Sequence, residues 1–168
     1  SDAGSKIVAE VGGINFEGNI IPPSWFDHIT FEGNKKPHVN AIVVLSEIVY
    51  WYRPVLVKDE NTLRIVGYRK KFKGDYLQMN RSKIVERFGF TQKQAGDALN
   101  RLEQLGLIKK HIVKSMVSDK GVVMGNVPFV ELLTESLKQI TNPLTSKGIP
   151  SAPQVTPSNL EGRGYIPT

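Results

Sequence analysis

The sequence predicts an α+β fold: a winged helix-turn-helix with an N-terminal strand, an extra β-hairpin and a C-terminal helix. Three observations lead there. Thr91 to Lys110 runs as a capped amphipathic helix, a glycine stop and a basic strand, in that order. A short helical pattern and a glycine-containing turn precede it, and two apolar-rich arms around Ser118-Asp119-Lys120-Gly121 follow it. Positive charge gathers over the same region. Between Arg64 and Lys120, fourteen Lys or Arg face five Asp or Glu, whereas the rest of the chain holds eight against eleven.

Residues 1–13 are small and polar and contain Gly12-Gly13, so a flexible leader is expected there, ahead of a domain over 14–140. Gly18 to Phe26 suggests a short strand or extended segment ending at Pro22-Pro23. Ser24 is placed to cap one turn that plugs Trp25 and Phe26 into the core. Asn40 to Arg53 is a helix whose apolar band, Ile42, Val43, Leu45, Ile48, Val49 and Tyr52, is wide enough for a buried central element; Pro54 stops it. Val55–Val57 and Leu63–Tyr68, around Lys58-Asp59-Glu60-Asn61, predict a hairpin.

Asn80 to Phe88 predicts a short helix with Ile84, Val85 and Phe88 on one side, broken at Gly89-Phe90. Thr91 and Gln94 then have capping-box spacing, and Ala95, Ala98, Leu99, Leu102 and Leu105 form one stripe. Gly106 stands where a left-handed C-cap is expected. Leu107–Val117 and Val122–Val130 are the arms of a wing, and Glu131–Ile140 closes the domain as a helix with Leu132, Leu133, Leu137 and Ile140 inward. Residues 141–168 turn rich in Pro, Ser, Thr, Gly and Asn, the composition of a linker or tail.

Composition narrows the function classes. With no cysteine, disulfide scaffolds, thiolate metal sites and cysteine nucleophiles are excluded. The longest apolar run, Ala41–Leu45, is too short to cross a bilayer, and no signal-peptide pattern opens the chain, so a soluble cytoplasmic protein is expected. His28, His38 and His111 lack second ligands at metal spacing and suit surface or capping positions. Neither Ser24 nor Ser46 sits in a nucleophile elbow, and Gly12-Gly13 lacks the context of a phosphate loop. No catalytic residue, metal or cofactor is expected.

Four blocks occur in order: Gly18-Asn-Ile-Ile-Pro-x-Ser-Trp-Phe26, the Asn40 to Pro54 segment ending Tyr50-Trp51-Tyr52-Arg53-Pro54, Lys70-Lys71-Phe72-Lys73, and Thr91 to Ile108. Together they resemble replication proteins of phages and mobile elements of Gram-positive bacteria, whose N-terminal winged helix is similar to that of DnaD-type replisome organisers. The resemblance spans about residues 18–140 and implies duplex DNA binding at an origin, self-association as a homodimer, and the replicative helicase or its loader as a partner. DnaD-type proteins carry a second helical domain that assembles and contacts helicase or single strands; the stretch after Thr141 is not expected to form one.

If Thr91–Leu105 is a recognition helix, Gln92, Lys93, Gly96, Asp97 and Asn100 lie on its outer side. Gln92 and Asn100 carry amides that can read adenine, Lys93 suits a phosphate, and Gly96 lets the backbone approach the groove. Asp97 either accepts from cytosine or pairs with Lys93 or Arg101 at i,i+4 spacing, the pair being favoured. Arg81 and Lys83 start the preceding helix, where the chain crosses the DNA backbone, and Lys109, Lys110, Lys114 and Lys120 belong to the wing. Arg69–Lys73 is a further basic cluster, read equally as a solvated hairpin end or a second contact. The leading expectation is double-stranded DNA binding in replication initiation. A transcriptional repressor or autoregulator using the same helix, and a phage-derived protein-binding adaptor or inhibitor, are the alternatives.

Overall fold

A computed structural model describes residues 4–143. Its elements, in order, are α1 (Lys6–Gly12), α2 (Trp25–His28), α3 (Val39–Tyr52), β1 (Val55–Lys58), β2 (Ile65–Arg69), β3 (Leu77–Gln78), α4 (Arg81–Phe88), α5 (Gln92–Gln104), β4 (Ile108–Val117), β5 (Val123–Leu132) and α6 (Thr134–Thr141). The described residues thus form a mixed α+β fold of six helices and two small antiparallel sheets, β1-β2 and β3-β5-β4.

α3 is the central element, as its wide apolar band requires. Ala41, Ile42, Val44, Leu45 and Ile48 have no exposed surface, and the inner face of α5 (Ala95, Ala98, Leu99, Leu102) packs into the same core with Trp25, Ile84 and Ile108. Truncating Ile42, Leu45, Ile48 or Leu102 to alanine leaves a cavity and costs about 2–5 kcal/mol. At its C-terminal end α3 also fixes the larger sheet. The Tyr52 hydroxyl accepts from the Leu77 amide at 2.9 Å and donates to the Val130 carbonyl, tying together the two residues that pair between β3 and β5. Burial pushes the Tyr52 phenol above its ordinary range, which keeps it the neutral donor this arrangement needs.

Several expectations are corrected. No strand forms between residues 18 and 24, because Pro22 and Pro23 supply no amide donors to a ladder and Pro22 instead accepts a turn bond from Trp25 at 3.0 Å. Trp25 is buried, but its neighbour Phe26 is exposed. Ser24 does not cap its own helix; its hydroxyl donates to the Ile140 carbonyl at 2.7 Å, at the end of α6, and Trp25 Nε1 donates to Thr141 Oγ1 at 2.9 Å. The leader expected over residues 1–13 contains α1, capped by Ser5 Oγ, which accepts from Ile7 and Val8. Glu131 and Leu132 continue β5 rather than opening a helix, since Lys109 and Ile108 are paired opposite them. Of the tail expected over 141–168, residues 144–168 lie outside the described residues.

Candidate nucleic-acid interface

Local chemistry sets the junction between α4 and α5. Asn80 caps α4 by accepting from the Lys83 amide at 2.9 Å, and Gly89 ends it in the left-handed region at φ 74°, where a side chain would be strained. Phe88 and Phe90 pack ring to ring across the turn at 5.8 Å. Thr91 and Gln94 then make the reciprocal capping box: Thr91 Oγ1 accepts from the Gln94 amide at 3.0 Å, and Gln94 Oε1 accepts from the Thr91 amide at 2.9 Å. The far end of α5 closes on Gly106 at φ 73°. Its amide donates to Glu103 and the Leu107 amide donates to Leu102, which is a Schellman closure leading directly into β4.

The outer face of α5 is not a row of free side chains. Lys93 Nζ meets Asp97 Oδ2 at 2.8 Å, the i,i+4 pair favoured from spacing. The hydrogen bond from Lys93 holds the Asp97 carboxyl below its usual range, helped by the charges of Lys93, His38 and Arg81. Gly96 is buried, contrary to the expectation that its backbone lies open. The Arg81 guanidinium covers it, and a β-carbon at Gly96 would fall 2.5 Å from Arg81 Cζ. Arg81 is itself exposed and has no carboxylate partner among the described residues, so it adds a cation to the α5 face from a neighbouring helix. Gln92 stands exposed at the N-terminal end of α5. Arg101 is structural: its Nε donates to the Thr30 carbonyl at 2.6 Å.

Lys110 joins β4 to α5. Its Nζ donates to Asn100 Oδ1 and lies 3.7 Å from Glu103 Oε1, while its amide donates to Glu103 Oε2 at 3.1 Å. Asn100 and Lys110, expected as separate DNA contacts, therefore hold one another. Successive strand residues face opposite ways, so Lys109 cannot share this face; it lies on the side of His111, which bonds Glu131 at 2.8 Å and stacks on Tyr76 at 4.5 Å. Lys114 returns to the Lys110 side by the same alternation, exposed, and Lys120 sits in the turn at the ribbon's far end. Lys83 donates to the Gln78 carbonyl at 3.0 Å.

The Arg69–Lys73 cluster is partly spent on its own loop and on the end of α3. Lys71 Nζ donates to the Tyr50 carbonyl at 2.8 Å and lies 3.8 Å from the Tyr50 ring centre, and Lys70 donates to the Gly74 carbonyl. The structure thus brings together Arg81, Lys93, Gly96, Asp97, Asn100 and Lys110 around α5. It separates Lys109 from them. The Arg81–Gly96 contact and the role of Glu103 were missed by sequence reasoning; a glycine inside an otherwise good helix was the one available signal.

His38 caps α3, with Nδ1 accepting from the Ala41 amide at 3.1 Å and its ring stacked on Phe31 at 4.1 Å; burial lowers its pKa. Among the described residues no cluster of three or more His, Asp or Glu is arranged for a metal, and no helix is long and apolar enough to cross a membrane. Compared with protein-family models, curated proteins and solved structures, the chain matches none.

Proposed function

We propose that this chain is a winged-helix protein that binds double-stranded DNA, with α5 as the recognition helix and the β4–β5 ribbon as the wing. The observation that carries the reading is the continuous path from the capping box at Thr91, through the Schellman turn at Gly106, into a ten-residue basic strand that Lys110 ties back onto α5. In such a layout the helix enters the major groove while the ribbon follows adjacent backbone. Arg81, Lys93, Lys110 and Lys114 then supply phosphate contacts, and Gln92 is the side chain poised for a base edge. One module of this size reads few base pairs, so paired copies are part of the proposal. The role in replication initiation of a phage or mobile element, in the cytoplasm and beside a replicative helicase or its loader, draws its support from the four sequence blocks alone.

A second reading has one specific observation in its favour. The ties Lys93–Asp97 and Lys110–Glu103 neutralise two of the cations on the α5 face, which suits a protein partner better than a phosphate backbone. Titration of a fluorescent duplex at several salt concentrations separates the two. Duplex binding gives a logarithmic salt slope of about −0.9 per phosphate contacted. Absence of binding at low salt overturns the DNA reading and leaves the adaptor.

A further inference from the structure

Two apolar surfaces are left without a partner among the described residues, and each fits the other. The first is α1. A helix of seven residues is far below the roughly 12–15 needed to persist alone in water, so it requires a surface to lie on. The described residues of its own chain provide none: no residue of α1 is buried, and Ile7, Val8 and Val11 are 69%, 66% and 45% exposed. These three share one side of the helix at i,i+1,i+4 spacing, with Lys6 and Glu10 paired beside them at 4.0 Å. Phe16, just beyond, is 75% exposed.

The second surface is a groove of about 800 Å³ between α4 and the outer half of the β4–β5 ribbon. Met79, Met116 and Met124, which are all three methionines of the chain, line it with Trp51, Phe72 and Phe129. Thioethers and rings in one open groove adapt to the apolar face of an incoming helix. Its charged lining is balanced, Lys73 and Lys83 against Glu86 and Asp119, and Arg87 is matched to Glu47 at 3.5 Å. It therefore offers an anionic backbone no net attraction, while accommodating a helix whose own Lys6 and Glu10 cancel.

The leader is anchored beside this groove. Asn19 Nδ2 donates at 2.8 Å to Oε1 of Glu47, a groove-lining residue, and Arg53 donates to the Gly18 carbonyl at 3.3 Å. The six residues 13–18 between α1 and that anchor reach at most about 20 Å. A two-fold arrangement that brings two such margins together places each α1 within reach of the other copy's groove.

We propose that α1 of one copy seats Ile7, Val8 and Val11 in the methionine-lined groove of a second copy, and reciprocally. This specifies the surface for the paired copies of the functional reading and rests on that part of it, but uses no residue of the α5 face.

The absence of cysteine makes the test direct. Val11→Cys and Met116→Cys are made in separate preparations of the full chain, mixed, and oxidised gently. The mixture forms a covalent dimer that neither preparation forms alone, and the product is lost when Leu56→Cys, exposed on β1 outside the groove, replaces Met116→Cys. In light scattering the Ile7→Asp/Val11→Asp variant loses the dimer that the parent shows. Failure of the mixture to cross-link overturns the proposal. So does a Val11→Cys preparation that dimerises by itself, which indicates helix-on-helix pairing, or a Val11→Cys/Met116→Cys chain that closes only within itself. Duplex titration of the unsubstituted chain reads the DNA proposal separately. Duplex binding without the cross-link refutes the groove, and the cross-link without duplex binding refutes the DNA reading.

Discussion

The guanidinium of Arg81 lies on the backbone of Gly96, in the space a β-carbon would occupy 2.5 Å from Cζ. The two residues are on different helices, α4 and α5, so the absence of one side chain positions another on the outer face of α5. Glycine inside a helix costs about 1 kcal/mol relative to alanine. Because the obstructing atoms are the far end of a flexible side chain, Gly96→Ala is expected to raise stability by up to about 1 kcal/mol while displacing Arg81 from the α5 face. Urea denaturation and duplex titration should therefore move in opposite directions, with affinity falling to the level of Arg81→Ala.

Glu103 competes with any external anion for Lys110. Its carboxylate takes the Lys110 amide at 3.1 Å and lies 3.7 Å from the ammonium, and both side chains are partly exposed. Exposed pairs of this kind contribute about 0–1 kcal/mol, so Glu103→Gln should cost little in folding. It should strengthen duplex binding and steepen the salt slope by roughly 0.9, one additional phosphate contact. Anisotropy titrations over a salt series check this.

Affinity and sequence preference are expected to separate by residue. Lys114→Ala weakens binding equally on any duplex and flattens the salt dependence, because a phosphate contact carries charge and no sequence information. Gln92→Ala instead costs about 1–3 kcal/mol on a selected duplex alone. Parallel titrations on a selected and a scrambled duplex read both effects.

His38 links stability to pH. Burial lowers its pKa from the ordinary histidine value, with the Arg101 charge acting in the same direction. The unfolded chain thus takes up the proton first, so stability is full above the unfolded histidine range and is lost as pH falls through it toward the folded pKa. His38→Asn keeps a capping acceptor for the Ala41 amide and removes the titration. Thermal melts between about pH 7.5 and 5 should show a smaller loss for the variant than for the parent.

What was legible in the sequence was local. The Thr91–Gln94 box and the Gly106 stop depend on residues within a few positions of one another, and both stand as expected. The Lys93–Asp97 pair follows from helical spacing alone. Contacts that depend on where elements meet were not legible. β3 is two residues long and exists because Leu77 and Gln78 find Val130 and Phe129 some fifty residues away. Arg81 over Gly96, and Lys110 on Asn100, arise from packing between elements that periodicity does not report. Glu131-Leu132-Leu133 has the pattern of a helix opening, but the β4 partner opposite Glu131 and Leu132 extends the ladder through them.

The central claim, that α5 and the ribbon form a duplex-binding surface, is tested most directly by amide chemical-shift mapping of the isotope-labelled chain titrated with a short duplex. The account predicts perturbations at residues 91–100, at Arg81 and along 108–114, with α3 at the core and the methionine-lined groove unchanged. Perturbations confined to the groove, or none at low salt, would contradict it.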